Sequence, residues 1–234
     1  MNRFLHSGHI GDILAFLPSM KSLGGGELII TDHCGNVHLK MSGFKYDSLE
    51  SLLASQKYVA KVWFSNDHGG VTHDLRGFRR HWGKGDLIHM QALELGVEPS
   101  YAKWLDAKPA KETKGRVVCC RSPRYRNYNF PWRKILKRLG DRAVFIGTDE
   151  EHEDMERHTS CKIERYQVKN CLDIAEAISG SDLFIGNQSS PYWIAAGLNH
   201  PCLQETSPIT PDSMIHYDGA VFCLDGNINF DLLK

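Results

Sequence analysis

The order of strand-like and helix-like segments constrains the fold of this chain more than any other feature. In the C-terminal half, short apolar runs at Arg116–Cys120 and Ala143–Ile146 alternate with helical periodicity at Trp132–Leu139 and Glu150–His158. The alternation continues through helix 172–178, strand 182–186, helix 191–197 and strands 201–204 and 221–224. Strands that alternate with helices are typical of a parallel sheet flanked by crossover helices, so this half is predicted to be a Rossmann-like unit.

The N-terminal half repeats the pattern less regularly. Strands are predicted at 3–6, 27–31, 59–64 and 71–75, and helices at 12–23, 47–56 and 86–95. Between the halves lies Asp106–Gly115, a polar stretch with a proline and no hydrophobic periodicity, which is typical of a linker. We therefore predict an α/β protein with two Rossmann-like domains, residues 1–107 and 108–234, built on mostly parallel sheets.

The balance of charges and the cysteine content indicate which partners and which cellular compartment to expect. Lys+Arg and Asp+Glu number 28 each, so the whole molecule has no net attraction for nucleic acid or anionic membranes. No window approaches the roughly 18 apolar residues of a membrane span, and no signal peptide is recognised. The odd number of scattered cysteines predicts reduced core thiols and a cytoplasmic protein; they are Cys34, Cys119, Cys120, Cys161, Cys171, Cys202 and Cys223.

The first candidate site is Asp12, in the glycine-containing turn after the first predicted strand. A carboxylate there lies at the carboxyl edge of the sheet, where open α/β folds bind their ligands. The alternative is that Asp12 is simply a helix N-cap. His6, His9 and Asp12 together also raise the question of a metal site, but no further ligand cluster supports one.

The second candidate is the basic segment Arg121–Arg138, which begins after the first strand of the second domain. Its loop carries Arg121, Arg124 and Arg126, and guanidinium groups beside a helix N-terminus suit a diphosphate. The cations on the following helix are interpreted as a solvated face. Aromatic residues are interleaved with the cations, so an alternative is that the segment binds a nucleic-acid strand by charge and stacking.

Two later turns complete the candidate residues. Strand 182–186 ends in a polar turn containing Gln188, Ser189 and Ser190, whose hydroxyls and amides can bind a phosphate at a helix N-terminus. The alternative is that the serines only cap the helix. After strand 143–146, Glu150 and Glu151 stand where a carboxylate can accept both hydroxyls of a ribose, although acidic residues are common in any first helical turn.

Taken in order, these segments resemble the heptosyltransferase family of GT-B glycosyltransferases, which transfers heptose from a nucleotide donor to lipopolysaccharide core. The resemblance is carried by Gly11–Pro18, by the basic loop that ends at Trp132, by Gly147–Glu151 and by the turn and small-residue helix of 188–197. It implies the GT-B architecture, in which two Rossmann-like domains face a central cleft. Gln188, Ser190 and Trp193 depart from the family pattern, which has aspartate, glycine and histidine there.

The resemblance also implies a reaction. It assigns Asp12 as the base in an inverting, metal-independent transfer from a nucleoside-diphosphate sugar, and it puts His9 and Gly11 on the acceptor side. The donor would be bound by Arg121, Arg124, Arg126, Glu150, Glu151, Gln188, Ser189 and Ser190. No cofactor is expected beyond the nucleotide-sugar co-substrate. The expected acceptor is a saccharide or glycolipid, with a modified nucleic-acid base as the lesser alternative.

Two other classes of function stay open from the sequence. The departures at Gln188 and Trp193 favour a non-catalytic nucleotide-binding or nucleic-acid-binding protein on the same fold. A nucleotide-sugar epimerase would use the same architecture and need no separate acceptor.

Overall fold

The computed structural model describes residues 1–32 and 43–233. Within it the chain divides into two compact units. Unit 1 comprises Met1–Asp106 and Asn170–Leu172, and unit 2 comprises Ala107–Lys169 and Asp173–Lys234.

Unit 1 is built on a four-stranded parallel sheet with the strand order β3-β2-β1-β4. Its elements are β1 (Asn2–His6), α1 (Ile10–Ser22), β2 (Gly26–Ile30), α2 (Gly43–Ala54), β3 (Val59–Phe64), β4 (His73–Asp74) and α3 (Leu87–Leu95). Strand β4 is shorter than the predicted 71–75. After it the chain turns into the short 3-10 helix Phe78–His81, which the periodicity did not indicate.

Helix α1 begins at Ile10, two residues before the predicted start, and its N-cap is His9. Asp12 is therefore the third helical residue, and the interpretation of Asp12 as the N-cap is wrong. Residues 12–20 are all buried, because apolar side chains occupy the helix almost without interruption and pack on the sheet. This packing fixes Asp12 at the carboxyl edge of β1.

Unit 2 contains a six-stranded parallel sheet with the order β10-β9-β8-β5-β6-β7. Its elements are β5 (Val117–Cys120), α4 (Trp132–Leu139), β6 (Ala143–Phe145), α5 (Asp149–Thr159), β7 (Glu164–Arg165), α6 (Cys171–Gly180), β8 (Leu183–Asn187), α7 (Ser190–Gly197), β9 (Cys202–Glu205) and β10 (Ala220–Cys223). The two-residue strand β7 was not predicted. The strand order reverses beside β5 and β8, so ligands are expected at the carboxyl ends of these strands.

Helix α4 shows how the basic segment is divided between core and solvent. Its apolar residues Trp132, Ile135, Leu136 and Leu139 are buried in the core of unit 2. The cations Arg133, Lys134, Lys137 and Arg138 are all exposed, as expected for a solvated face. Phe130 and Trp132 are buried, which removes half of the aromatic side chains that a nucleic-acid strand would need for stacking.

The described thiols are consistent with core residues. Six cysteines are unpaired, and all but the half-buried Cys161 are buried. Cys34 lies outside the described residues. Among the helices described, none combines the length and apolar character needed to cross a bilayer.

Candidate functional site

The Asp12 carboxylate is the centre of the candidate site in unit 1. Its side chain is only 6% exposed, and its Oδ1 accepts a hydrogen bond of 2.7 Å from Nη2 of Arg79. Its Oδ2 accepts one of 2.9 Å from the backbone N–H of His9. The carboxylate thus closes the first turn of α1 and forms an ion pair with a residue that follows β4. Arg79 was not identified from the sequence, although three arginines in 76–80 follow a strand at the same sheet edge.

A hydrogen-bonded chain beneath Asp12 fixes its backbone. Nε2 of Gln91 donates to the carbonyl oxygen of Asp12 at 2.7 Å, so Oε1 of Gln91 faces His6 and accepts from its Nε2 at 2.8 Å. His6 is fully buried, and this burial lowers its pKa, an effect that the Gln91 hydrogen bond opposes. The contact with Oε1 of Gln91 places a proton on Nε2 of His6.

The predicted acceptor-side residues lie in the same turn. His9 caps α1 and is half-buried, and Gly11 is half-buried in the first helical turn. Gly8 provides space for the carboxylate: a Cβ atom at this position would lie 2.8 Å from Cβ of Asp12 and 3.0 Å from its Oδ2. The turn therefore needs glycine at position 8 for a steric reason.

In unit 2, Arg121 has a different environment from the one expected of a ligand-binding arginine. It is fully buried and forms an ion pair with Glu205, its Nε lying 3.0 Å from Oε2. Glu205 also accepts hydrogen bonds from the backbone N–H of Asn127 at 2.8 Å and from Nε1 of Trp132 at 2.7 Å. A buried charge must be compensated, and Glu205 compensates this one. The pair therefore joins the ends of β5 and β9 to the basic loop.

The other two loop arginines differ in their freedom to bind a ligand. Arg126 donates to the carboxylate of Asp154 at 2.5 Å and to the carbonyl oxygen of Ser122. Arg124 is exposed, its guanidinium stacks on the ring of Tyr125 at 5.3 Å, and it forms no ion pair within the described part of the chain. Of the three, Arg124 is the one whose charge is available to a diphosphate.

The two predicted ribose ligands have opposite electrostatic environments. Glu151 is half-buried and forms a capping box with Thr148, in which each side chain accepts from the other's backbone N–H. Burial raises its pKa, while the Thr148 N–H and the nearby Arg126 charge act in the opposite direction. Glu150 is fully exposed, and hydrogen bonds from its own backbone N–H and from Thr148 lower its pKa.

The turn after β8 is held by Asn187, which was not predicted as a site residue, and by Gln188, which was predicted to bind the donor. Asn187 is buried and connects this turn to the basic loop, accepting from the Ser122 N–H at 3.1 Å and donating to the Arg124 carbonyl oxygen at 2.5 Å. Gln188 accepts from the N–H of Ser207 at 2.6 Å and donates to Thr210 and Ser213, so it secures the segment after β9.

Ser189 and Ser190 are half-buried at the start of α7. Ser189 is the N-cap, but its side chain makes no capping hydrogen bond and donates to the Asn187 carbonyl oxygen at 3.4 Å. The interpretation of the serines as ordinary caps is therefore not supported at Ser189. Trp193 is buried within the same helix.

The structure thus brings the three predicted donor-binding segments together at one edge of the unit 2 sheet, while the roles of their residues stay predictions. In the described ranges 1–32 and 43–233, no group of three or more His, Cys, Asp or Glu side chains could hold a metal ion.

This fold is similar to the folds of known proteins, although no similarity is found by sequence. By sequence, the chain matches no protein-family model and no curated protein. By structure, it is similar to Escherichia coli heptosyltransferase WaaC with ADP-2-deoxy-2-fluoro heptose, at a TM-score of 0.58 and 11% identity over 94% of this chain and 92% of that one.

Two further solved structures are similar to a greater degree. E. coli ADP-heptose lps heptosyltransferase II gives a TM-score of 0.64 at 12% identity, covering 95% of this chain and 90% of that one. A family 9 glycosyl transferase from Veillonella parvula gives 0.64 at 12% identity, covering 95% and 86%. The chain therefore has the α/β fold of GT-B glycosyltransferases, with two parallel sheets. The predicted similarity to heptosyltransferases is confirmed at the level of the fold.

Proposed function

We propose that this protein is a glycosyltransferase that moves a sugar from a nucleoside-diphosphate donor to an acceptor hydroxyl, with inversion at the anomeric carbon and without a metal ion. The placement of Asp12 carries the proposal. It is a nearly buried carboxylate at the carboxyl edge of the unit 1 sheet, in a fold similar to structures of heptosyltransferases, one of which was solved with an ADP-heptose analogue. A fold alone does not determine an activity, so the argument depends on this residue.

In the proposed reaction, Asp12 removes the proton from an acceptor hydroxyl as its oxygen attacks the anomeric carbon. The bond between that carbon and the diphosphate oxygen breaks, and the nucleoside diphosphate leaves with the electron pair. Arg124 and the amides and hydroxyls of Ser189 and Ser190 stabilise the charge that develops on the leaving group. Glu150 or Glu151 binds the ribose. A saccharide or glycolipid supplies the acceptor hydroxyl, and the transferred sugar is a heptose or a hexose.

The test of catalysis is the exchange of Asp12 for asparagine, with Asp67→Asn as the matched control because Asp67 is an exposed acid of the same unit. Asp12→Asn should lower the transfer rate by about 10²- to 10⁴-fold, the usual contribution of a general base, and leave nucleotide affinity within about twofold. Mass analysis of the products separates transfer from epimerisation, which leaves the mass unchanged. Full activity in Asp12→Asn would rule out this base.

The test of donor binding uses thermal unfolding with ADP, UDP, GDP, CDP and their sugars. A diphosphate at about 100 times its Kd should stabilise the native state by about 2.7 kcal/mol. Arg124→Ala should weaken the affinity for that diphosphate by about 10- to 150-fold, since a charged hydrogen bond contributes about 1.5–3 kcal/mol. Arg133→Ala, which removes an exposed cation of α4, should leave the affinity unchanged. The absence of any shift at millimolar ligand would contradict a nucleotide-sugar site.

A further inference from the structure

The 3-10 helix that follows β4 carries an arginine with a partner different from those of its neighbours. Arg79 pairs with Asp12, whereas Arg76 pairs with Asp74 at 2.7 Å. Arg80 forms an ion pair with Glu94 instead. Of the three arginines in residues 76–80, only Arg79 therefore pairs with the candidate base, and the other two pair with other carboxylates.

Two aromatic rings fix the guanidinium of Arg79. Its Cζ lies 4.9 Å from the ring centre of Phe78 and 5.9 Å from that of Trp82. Stacking on two rings restricts the rotamers of a long side chain and leaves the planar fork in one orientation. Phe78 is buried, so the short helix is anchored in the core of unit 1. Arg79 is thus a rigid partner for the carboxylate.

The carboxylate has acceptor capacity left after these contacts. An ionised carboxylate has about four lone-pair positions. The Arg79 Nη2 group uses one on Oδ1, and the His9 N–H uses one on Oδ2. The two donors approach different oxygens and therefore fix the plane of the carboxylate and the direction of the remaining lone pairs. A general base needs this orientation before the acceptor arrives.

We infer that Arg79 is the positioning residue for Asp12. The inference rests on the proposed function. Arg79 holds the carboxylate in one orientation, so that a lone pair of Asp12 takes the proton of the acceptor hydroxyl while the new bond to the anomeric carbon forms. Arg79 does not itself touch the reacting atoms. Its contribution passes through Asp12, which distinguishes it from a residue that binds the acceptor.

The experiment compares Arg79→Met and Arg79→Lys with Arg76→Met, which removes an exposed arginine of the same segment. Arg79→Met should lower kcat by about 10- to 100-fold, the cost of a misplaced catalytic group, with the KM values for donor and acceptor nearly unchanged. Arg79→Lys should retain more activity because the ammonium group keeps the charge but lacks the fork. Arg76→Met should match the unmodified protein.

Two readouts separate positioning from a general loss of structure. In an Asp12→Asn background, Arg79→Met should change the residual rate by less than about twofold, because the two residues act as one unit. Hydrogen exchange of the His9 amide should become faster in Arg79→Met and not in Arg76→Met, because the freed carboxylate no longer accepts steadily from that N–H. If Arg79→Met folds poorly, two other variants test the same role. Arg79→Lys keeps the charge at position 79, and the double variant Asp12→Asn/Arg79→Met leaves no buried charge unpaired.

The outcomes that overturn the inference differ from those that overturn the proposed function. An equal loss of rate in the Asp12→Asn background would show that Arg79 acts independently of Asp12. A higher acceptor KM with unchanged kcat would make Arg79 an acceptor-binding residue. If Arg79→Met is as active as Arg76→Met, Arg79 has no role in the reaction. In each case the unmodified protein still transfers sugar, whereas a protein that binds no donor and transfers no sugar removes the proposed function and this role together.

Discussion

Several charged side chains of this protein are buried, and each of them pairs with a specific partner. Arg121 and Glu205 have fully buried side chains, and their pairing is supported by hydrogen bonds from Asn127 and Trp132. Such a pair adds little net stability compared with apolar residues, but the removal of one partner leaves the other charge uncompensated. Sequence patterns identify the cation and not its partner, because Arg121 and Glu205 are 84 positions apart.

The exchange Glu205→Gln tests this buried pair. It keeps the shape and an acceptor oxygen but leaves Arg121 without a counter-charge, so it should lower the free energy of unfolding by about 3–5 kcal/mol. Glu164→Gln is the matched control, since Glu164 is 64% exposed in its pair with Arg116 and should change stability by less than about 1 kcal/mol. Urea unfolding of both variants measures the difference. Equal, small effects would mean that solvent reaches the Arg121 guanidinium.

At the scale of elements, sequence periodicity locates the helices better than it locates their ends. Helix α4 was predicted at Trp132–Leu139 and lies there, because its apolar face has helical spacing and its cations face solvent. Strand β7 was missed because two residues carry no periodicity; only its pairing with β6 defines it. Its Arg165 donates to the Gly147 carbonyl oxygen at 2.9 Å and so supports the turn that leads into α5. Long-range contacts of this kind have no local signal.

The first turn of α5 permits a test of the two glutamates by pH. The pKa of Glu151 is raised above the ordinary value of 4.5, so the folded state binds this proton more tightly than the unfolded chain. The stability contributed by the protonated form is complete below pH 4.5 and is lost as pH rises through the folded-state pKa. Relative to Glu151→Gln, which retains the capping box, the unmodified protein should therefore lose stability as pH rises through this range.

Glu150 supplies the matched control for that measurement. Its pKa is lowered, so its contribution to stability is present above the ordinary value of 4.5 and is lost as pH falls through the folded-state pKa. Relative to Glu150→Gln, the unmodified protein should change with pH in the opposite sense. Free energies of unfolding from pH 3 to pH 7, measured for the three proteins, give both slopes. Slopes of the same sign would contradict the assignment of burial as the cause at Glu151.

For the whole molecule, the sequence predicted the α/β class and the alternation of the longer strands and helices in both units, since these follow from hydrophobic periodicity. The positions of Asp12, Ser189 and Ser190 at strand ends followed from the same pattern. The partners that define their environment, Arg79 and Asn187, did not, because the sheet order brings together residues that are far apart in sequence. The sequence therefore predicts which sheet edge carries the candidate site, and the fold determines which charges there have partners.

Each unit contains a histidine whose pKa is lowered by burial, His6 fully buried in unit 1 and His200 half-buried in unit 2, and this property should make the native state sensitive to acid. Burial lowers the pKa of His6 in unit 1, and it lowers the pKa of His200 in unit 2 from 6.5 to about 4. Because the unfolded chain takes up these protons first, stability is complete above pH 6.5 and is lost as pH falls toward 4. At about 1.4 kcal/mol per pKa unit, His200 alone accounts for about 3 kcal/mol of that loss.

His200→Gln should flatten this fall in stability, measured by urea unfolding between pH 7 and pH 4, while His216→Gln, at an exposed position, should not. An unchanged pH dependence in His200→Gln would show that folding does not lower the pKa of His200.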